Sequence, residues 1–411
     1  MYRENRQQGH AAWCGADYDY VCPSVETYPF QWFWDSCFHA IVLSRMDIER
    51  AEQELKTLLM NQQPDGFIPH VTYWTADTPV VGGPYQVAGR SPWSSASMQP
   101  PVLAEAVAAV AARGRGTAYL REVLPAVRRF YDWCDRERDP DRDGLIAIFE
   151  PHESGMDQTP AYDGYLGVEG DEPADFEAAW REVAESNARA GHRAGPIFDS
   201  DRFVVEDIAV NALYAENQRV LARLLDETGY ADGAALLRER AERTTAAMLE
   251  RCWSLADEDF HGLAGRSKTQ LPGGTVAGLL PIILEELPDE IVDRIARRIE
   301  DPSDFGASYP VPSVSLGNPA YRAAPAGGTV LWRGPSWIGT NWYIVRGLRR
   351  HGREELAARI EDASRRLVEL SGFREHYDAE SGEGYGAKGF AWSALVLDLL
   401  EARFSDRAAT D

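Results

Sequence analysis

Aromatic rings stand beside carboxylates in segment after segment of this sequence. Tyr28-Pro-Phe-Gln-Trp-Phe-Trp-Asp35 is one cluster, and Gln62 to His70, running on to Tyr73 and Trp74, is a second. Glu153-Ser-Gly-Met-Asp157 with Tyr162, Trp332-Arg-Gly-Pro-Ser-Trp337 and Glu375-His-Tyr377 follow. A ring face stacks on the C–H-rich face of a sugar while carboxylates take its hydroxyls, so this mixture suits a carbohydrate. A lone tryptophan fits a core as well as a site. Tryptophan set among Asp, Arg, Gly and Pro in loop after loop fits a core poorly.

The stretches between these clusters read as helix, with apolar residues at three- and four-residue spacing. The pattern predicts pairs over Asp35–Met46 with Asp47–Asn61, Pro100–Arg113 with Thr117–Arg138, and Glu206–Thr228 with Ala231–Leu255. Val276–Leu287 with Asp289–Ile299 and Ser336–His351 with Arg353–Leu370 make two more, and Ala391–Phe404 closes the chain. Gly229 and Gly352 are placed to stop helices within their pairs. Between pairs run long connections: Gln62–Gln99, Asp139–Val205, His261–Thr275, Asp301–Pro335 and Ser371–Phe390. Connections of that length are functional or disordered, and their aromatic, Gly and Pro content favours function. Gly167–Ala194, acidic and Ala-rich, reads as a lid insertion or an extra helix.

Short turns on one side and long loops on the other describe an all-α toroid, an (α/α)6 barrel whose site sits at the long-loop mouth. Six hairpins need twelve helices and eleven are legible. Either the segment before Tyr28 supplies the twelfth or the ring is irregular. No linker divides residues 1–411, so one domain is expected.

Composition removes other classes. Among 411 residues, 44% hydrophobic, no run approaches the ~18 apolar residues of a membrane span. Sixty-five acids against 42 bases leave −23, a field that repels nucleic acid and anionic membranes. The start, Met1-Tyr-Arg-Glu-Asn-Arg, lacks the basic-then-apolar layout of a signal peptide, so a cytoplasmic location is expected. Five cysteines form no zinc spacing, and Cys37, Cys134 and Cys252 sit in apolar helical stretches as small buried hydrophobes.

The strings QWFWDSCFHA, QPDGFIPH, SMQPP, ESGMDQTP, WRGPSW and GEGYGAKGFAWSALVLDLL resemble, in order, the motifs of glycoside hydrolase family 63. The likeness is to its bacterial branch, which includes mannosylglycerate and glucosylglycerate hydrolases, and it runs from about Gln31 to Leu400. It implies an (α/α)6 barrel, hydrolysis of a small α-glucoside or α-mannoside with inversion, a small carbohydrate as partner and no cofactor. Inversion uses two carboxyl groups ~6.5–9.5 Å apart, one protonating the leaving oxygen and one activating a water. By similarity, Asp157 falls on the general acid and Glu375 on the general base. The acid needs a raised pKa, from burial or from a neighbour such as Glu153.

Alternatives accompany each assignment. Asp157 could cap a loop before Pro160, and Glu153 could be the acid. Glu380 and Glu383 compete with Glu375, although they flank turn residues. Asp35 could be a helix N-cap; the resemblance gives it, with Trp332, Arg333 and Gly334, to hydroxyls of the cleaved sugar. Trp34, Gln99, Trp337 and Trp392 are expected to line the same pocket and Tyr28 to close it, with His70 and Lys388 weaker candidates. Where glycerate-specific members carry a tyrosine before the Trp-Arg-Gly-Pro string, this chain has Leu331. Phe390 stands where a polar residue is expected. Both changes make the leaving-group side more apolar than glycerate requires.

Asp139-Pro-Asp-Arg-Asp-Gly144 with Glu150 satisfies the calcium-loop pattern D-x-D-x-D-G-x5-E. A helix precedes it, but Pro151-His-Glu-Ser-Gly follows, not an exit helix, so an Asp-rich turn is favoured over calcium at Asp139, Asp141, Asp143 and Glu150. Competing function classes are a trehalase-like or α-glucosidase-I-like specificity, a sugar epimerase or isomerase, and a non-catalytic sugar-binding protein. The small number of histidines near the loops disfavours the epimerase, and the presence of both carboxylates disfavours the binding protein.

Overall fold

The computed structural model describes residues 1–78, 80, 91–169, 173–323 and 331–400. The parts of the Gln62–Gln99, Gly167–Ala194 and Asp301–Pro335 segments that fall between these ranges, and the end of the Ala391–Phe404 helix, lie outside the described residues.

Helices come in two kinds, and burial separates them. Helix α1 (Phe33–Met46) is buried on every side from Phe33 to Ser44, whereas its partner α2 (Ile48–Met60) buries one face and turns its charged residues outward. A helix apolar all round belongs inside a fold, and an amphipathic one belongs on its surface. The same division recurs in α3 (Leu103–Arg113) with α4 (Thr117–Arg138). It recurs again in α6 (Ile208–Glu227) with α7 (Ala231–Ala247), and in α9 (Ile338–Arg350) with α10 (Glu354–Ser371). Between them α5 (Pro173–Arg189) and α8 (Asp289–Glu300) complete the longer helices.

The inner elements touch in a closed circuit. α1 packs on α3, α3 on α6, α6 on the turn of helix Val276–Ile283, that turn on α9, α9 on Ala391–Ala394, and Ala391–Ala394 back on α1. One hydrophobic cluster accordingly draws on residues from Tyr2 to Leu399. Short links, such as Asp47 between α1 and α2, lie within pairs, and Asp47 also caps α2 by accepting the Arg50 N–H.

Several expectations are corrected. The segment before Tyr28 is not a helix: Arg6–Ala11 (β1) and Ala16–Val21 (β2) form an antiparallel hairpin. That segment therefore contributes no helix. Val276–Ile283 is a 3-10 helix, with Pro281 inside it, because proline removes a donor and clashes with the preceding turn of an α-helix. Ala231–Leu255 is cut short: α7 ends at Ala247, a π-helical turn spans Met248–Cys252, and Trp253–Ser254 pairs as a strand. The stretch Asp139–Val205 is not structureless, since α5 occupies much of Gly167–Ala194 as the extra helix. Cys37, Cys134 and Cys252 are buried, as their apolar settings predicted. No described helix is long and apolar enough to cross a membrane.

Candidate active site

An open cavity of about 550 Å³ lies where the connections enter the inner helices. Trp34 and Asp35 reach it from the first turn of α1, Gln99 from the segment before α3, and Gly155 and Asp157 from the loop after α4. Leu331, Trp332 and Trp337 come from the approach to α9, and Glu375, Phe390 and Trp392 from the chain after α10. Tyr28, Trp32, Pro23, His70 and His152 complete the wall.

Aromatic contacts fix this wall. Trp332 and Trp337 stack with ring centres 4.0 Å apart and planes 3° from parallel. Trp392 stands edge-on to Trp337, Trp34 and Phe390, and Tyr28 packs edge-on against Trp32 and Phe390. Such pairs contribute about 0.5–1.5 kcal/mol each beyond buried area. The buried indole N–H groups of Trp337 and Trp392 have no hydrogen-bond partner among the described residues. At Gly155, φ is +70° and a Cβ would lie 2.4 Å from the Trp34 ring, so glycine alone lets the Asp157 loop close on that ring.

The carboxyl groups differ in their donors. Glu375 lies on β3 (Arg374–Tyr377), paired with β4 (Gly384–Lys388). Its Oε1 accepts the Tyr28 hydroxyl at 2.9 Å and its Oε2 accepts the Ala387 N–H at 2.8 Å. Burial raises the Glu375 pKa, and those two donors pull it back. Gly386 makes room for this carboxylate, since a Cβ there would lie 2.4 Å from Oε2. Asp157 is raised to about 6, first by burial and then by the charge of Glu375, with only its own backbone N–H opposing. Asp35 is raised to about 8, chiefly by burial, with Glu375 adding to it. His152 is lowered to about 4 and His70 is also lowered, both by burial.

Glu153 is not the neighbour that tunes Asp157. Its Oε1 accepts Met98 N–H at 2.9 Å and Arg138 at 2.6 Å, and its Oε2 accepts Phe149 N–H at 2.6 Å and Arg138 at 2.7 Å. With four donors on two oxygens, it has nothing to offer a substrate. Glu380 and Glu383 are exposed turn residues, and Asp378 caps their turn through the Glu380 and Ser381 N–H groups. Asp35 is not an N-cap: α1 begins at Phe33 with Trp32 at the cap position. The cap is Gln99, whose Oε1 accepts the Trp34 N–H at 3.0 Å.

Arg333 and Gly334 do not border the cavity. Arg333 is buried behind Trp332, 2.5 Å from Asp163 and stacked over Phe176 of α5. Gly334 donates its N–H to Ser313 Oγ at 2.9 Å. Lys388 is exposed on β4. The three aspartates Asp139, Asp141 and Asp143 do gather, but Glu150 is not among them: it is half-buried against Asn187 and raised to about 7, chiefly by desolvation. Sequence reasoning missed His152, Gly155, Trp32 and Pro23 as wall residues. Trp32 and Gly155 lie inside the quoted strings and His152 beside one, so their places were marked although their roles were not.

Comparison with known proteins agrees with this geometry. The family described as mannosylglycerate hydrolase MGH1-like glycoside hydrolase domain matches residues 28–393. The mannosylglycerate hydrolase of Thermus thermophilus is 31% identical over 92% of this chain and 95% of its own. The glucosylglycerate hydrolase of Mycolicibacterium hassiacum is 28% identical over 91% and 92%. The crystal structure of the glycoside hydrolase family 63 mannosylglycerate hydrolase from Thermus thermophilus in complex with Tris superposes with a TM-score of 0.84 at 30% identity, covering 93% of this chain and 96% of that one. Neutral trehalase from Saccharomyces cerevisiae, 14% identical with a TM-score of 0.62, shares the mostly helical fold. Six motif strings, the carboxyl pair in one aromatic cavity and these full-length likenesses converge: the chain is a glycoside hydrolase and belongs to the mannosylglycerate hydrolase MGH1-like branch of glycoside hydrolase family 63.

Proposed function

We propose that this single-domain (α/α)6 barrel is an inverting, exo-acting α-glycosidase that releases glucose or mannose from a small acceptor. The observation that carries the reading is the shared cavity of Asp157 and Glu375, one carboxyl half-buried and one buried, with different donor sets. Asp157, protonated below about pH 6, gives its proton to the glycosidic oxygen as the bond lengthens. Glu375, oriented by Tyr28 and Ala387, takes a proton from the water that attacks the opposite face of the anomeric carbon. Asp35 and the tryptophan wall hold the departing sugar.

The acceptor side is expected to accommodate a neutral group at least as well as glycerate. Leu331 and Phe390 line it, and the described lining residues include no lysine or arginine. Glu375, acting as the ionised base, shares that space, so an anionic acceptor meets repulsion from it. Supporting the glycerate alternative, the named relatives include hydrolases of mannosylglycerate and glucosylglycerate.

A panel of α-glucosides and α-mannosides with glycerate and neutral acceptors, followed by NMR of the first-formed anomer, tests the whole reading. A β-configured first product and neutral acceptors turned over no more slowly than glycerate are expected. An α-configured first product would refute inversion, and a marked preference for glycerate would refute the acceptor assignment.

A further inference from the structure

Lys268 is an unusual residue in this chain. Only three of its 42 basic residues are lysines, and this one occupies the left-handed backbone region, φ +54°, in the turn after Leu263–Ala264. A non-glycine residue held there costs about 1–3 kcal/mol and persists only where its surroundings over-determine it. Its side chain is correspondingly engaged. The ammonium lies 2.7 Å from Asp141 Oδ2 and 2.9 Å from Asp143 Oδ2, and it also bonds Glu206 Oε1.

The acidic groups around it are arranged as a cation cradle. Carboxylate oxygens of Asp139, Asp141 and Asp143 lie within 4.8 Å of one another. Asp139 Oδ1 accepts the Asp143 N–H at 3.0 Å, and Asp143 Oδ1 accepts the Leu145 N–H at 3.0 Å, which fixes the turn. The fourth carboxylate is Glu206, not the Glu150 of the sequence pattern. Glu206 is buried, and its second oxygen has no hydrogen-bond partner among the described residues. A buried carboxylate oxygen left unmatched marks a place built for more positive charge than one hydrogen bond supplies.

Charge geometry explains why lysine serves here in an arginine-rich chain. An ammonium is a compact charge with three N–H donors, whereas guanidinium is a planar fork. Three carboxylates, from Asp141, Asp143 and Glu206, converge on this one nitrogen. Arginines flank the turn from outside: Arg251 pairs with Asp143, and Arg243 lies 3.7 Å from Asp139.

We propose that Lys268 is the resident cation of this turn, an ammonium occupying the position a divalent metal would take, so that the fold around the catalytic loop is metal-independent. The turn matters to catalysis through its neighbours. Val205, beside Glu206, bridges to Ile148 on the way to the Asp157 loop. Asp207 accepts the Tyr162 hydroxyl at 2.7 Å just beyond that loop.

Lys268→Met keeps the side-chain length and removes the charge. In EDTA this variant should melt about 5 °C below wild type, as expected when one partner of a buried ion pair is removed. Millimolar calcium should restore most of the loss, with calorimetric binding at a Kd of ~10⁻⁴–10⁻³ M, typical of a weak oxygen site. Wild type should respond to neither EDTA nor calcium. Lys268→Met/Glu206→Gln, with less charge to balance, should melt nearer to wild type and lose the calcium response. Should Lys268→Met fail to fold in EDTA, refolding it in calcium should recover it. Calcium binding by wild type, a folded Lys268→Met indifferent to calcium, or failure to fold in calcium as well would each overturn the proposal.

Discussion

Glu153 and Asp157 stand four positions apart in one loop, the first buried and the second half-buried, and their surroundings could hardly differ more. Behind the wall, Glu153 is locked by Arg138 and two backbone N–H groups. At the wall, Asp157 has burial and the nearby charge of Glu375 with little to offset them. A carboxylate whose lone pairs are committed to donors organises structure. One whose desolvation goes uncompensated keeps a proton it can give away. Burial alone therefore identifies neither role; the donor set does.

The strongest test of this contrast is kinetic. Glu375→Gln removes the base, and turnover of natural glycosides and of glycosyl fluorides should fall together by ~10²–10⁴-fold. Azide should not produce a retained-configuration glycosyl azide from Glu375→Ala, because the proposed route has no glycosyl-enzyme intermediate. Detection of a trapped adduct by mass spectrometry would end the inverting assignment.

Asp157→Asn should cost a similar ~10²–10⁴-fold on natural substrates yet spare the glycosyl fluoride, whose leaving group needs little acid. In wild type, kcat/KM should decline as pH rises through about 6, where Asp157 loses its proton. That limb should vanish in the variant. Equal losses on both substrates would show that Asp157 is not the acid.

Stability should move in opposite directions at the two carboxylates. Glu153→Gln leaves Arg138 buried without its counter-charge, and ~3–5 kcal/mol should be lost in denaturant titration. Asp157 is raised from an ordinary carboxyl value to about 6, so its folded form favours the proton. The resulting penalty is absent below the unfolded pKa near 4, grows as pH rises through 6 and is complete above it. Asp157→Asn should thus be about 1–3 kcal/mol more stable than wild type at pH 8 and indistinguishable at pH 4. The same sign for both substitutions at pH 8 would erase the distinction between the two sites.

Tyr28→Phe should give the smallest effect. It removes one of two donors that lower the Glu375 pKa, so the acidic limb of the rate profile should move to higher pH, with about a tenfold loss in kcat at its foot. An unmoved limb would mean that Tyr28 does not hold the base.

Most of the long helices, their pairing and the segments that carry chemistry were legible in the sequence. Apolar periodicity is a local property, and Thr117–Arg138 was legible to the residue because nothing outside the segment alters its pattern. It failed where a local device overrides periodicity, as at Pro281, or where pairing decides, as in the hairpin of β1 and β2. The family resemblance singled out Asp157 and Glu375, but only the tertiary structure shows which acidic residues share a cavity. Glu153 and Asp157 are neighbours in sequence but face different partners, while Asp157 and Glu375 meet across a cavity from distant connections. Glu206 replaces Glu150 beside the aspartate turn for the same reason: Lys268 arrives from a hairpin far along the chain. Donor placement and burial are long-range properties, because each depends on what other elements bring to within a few ångströms, and no spacing along one strand of sequence encodes them.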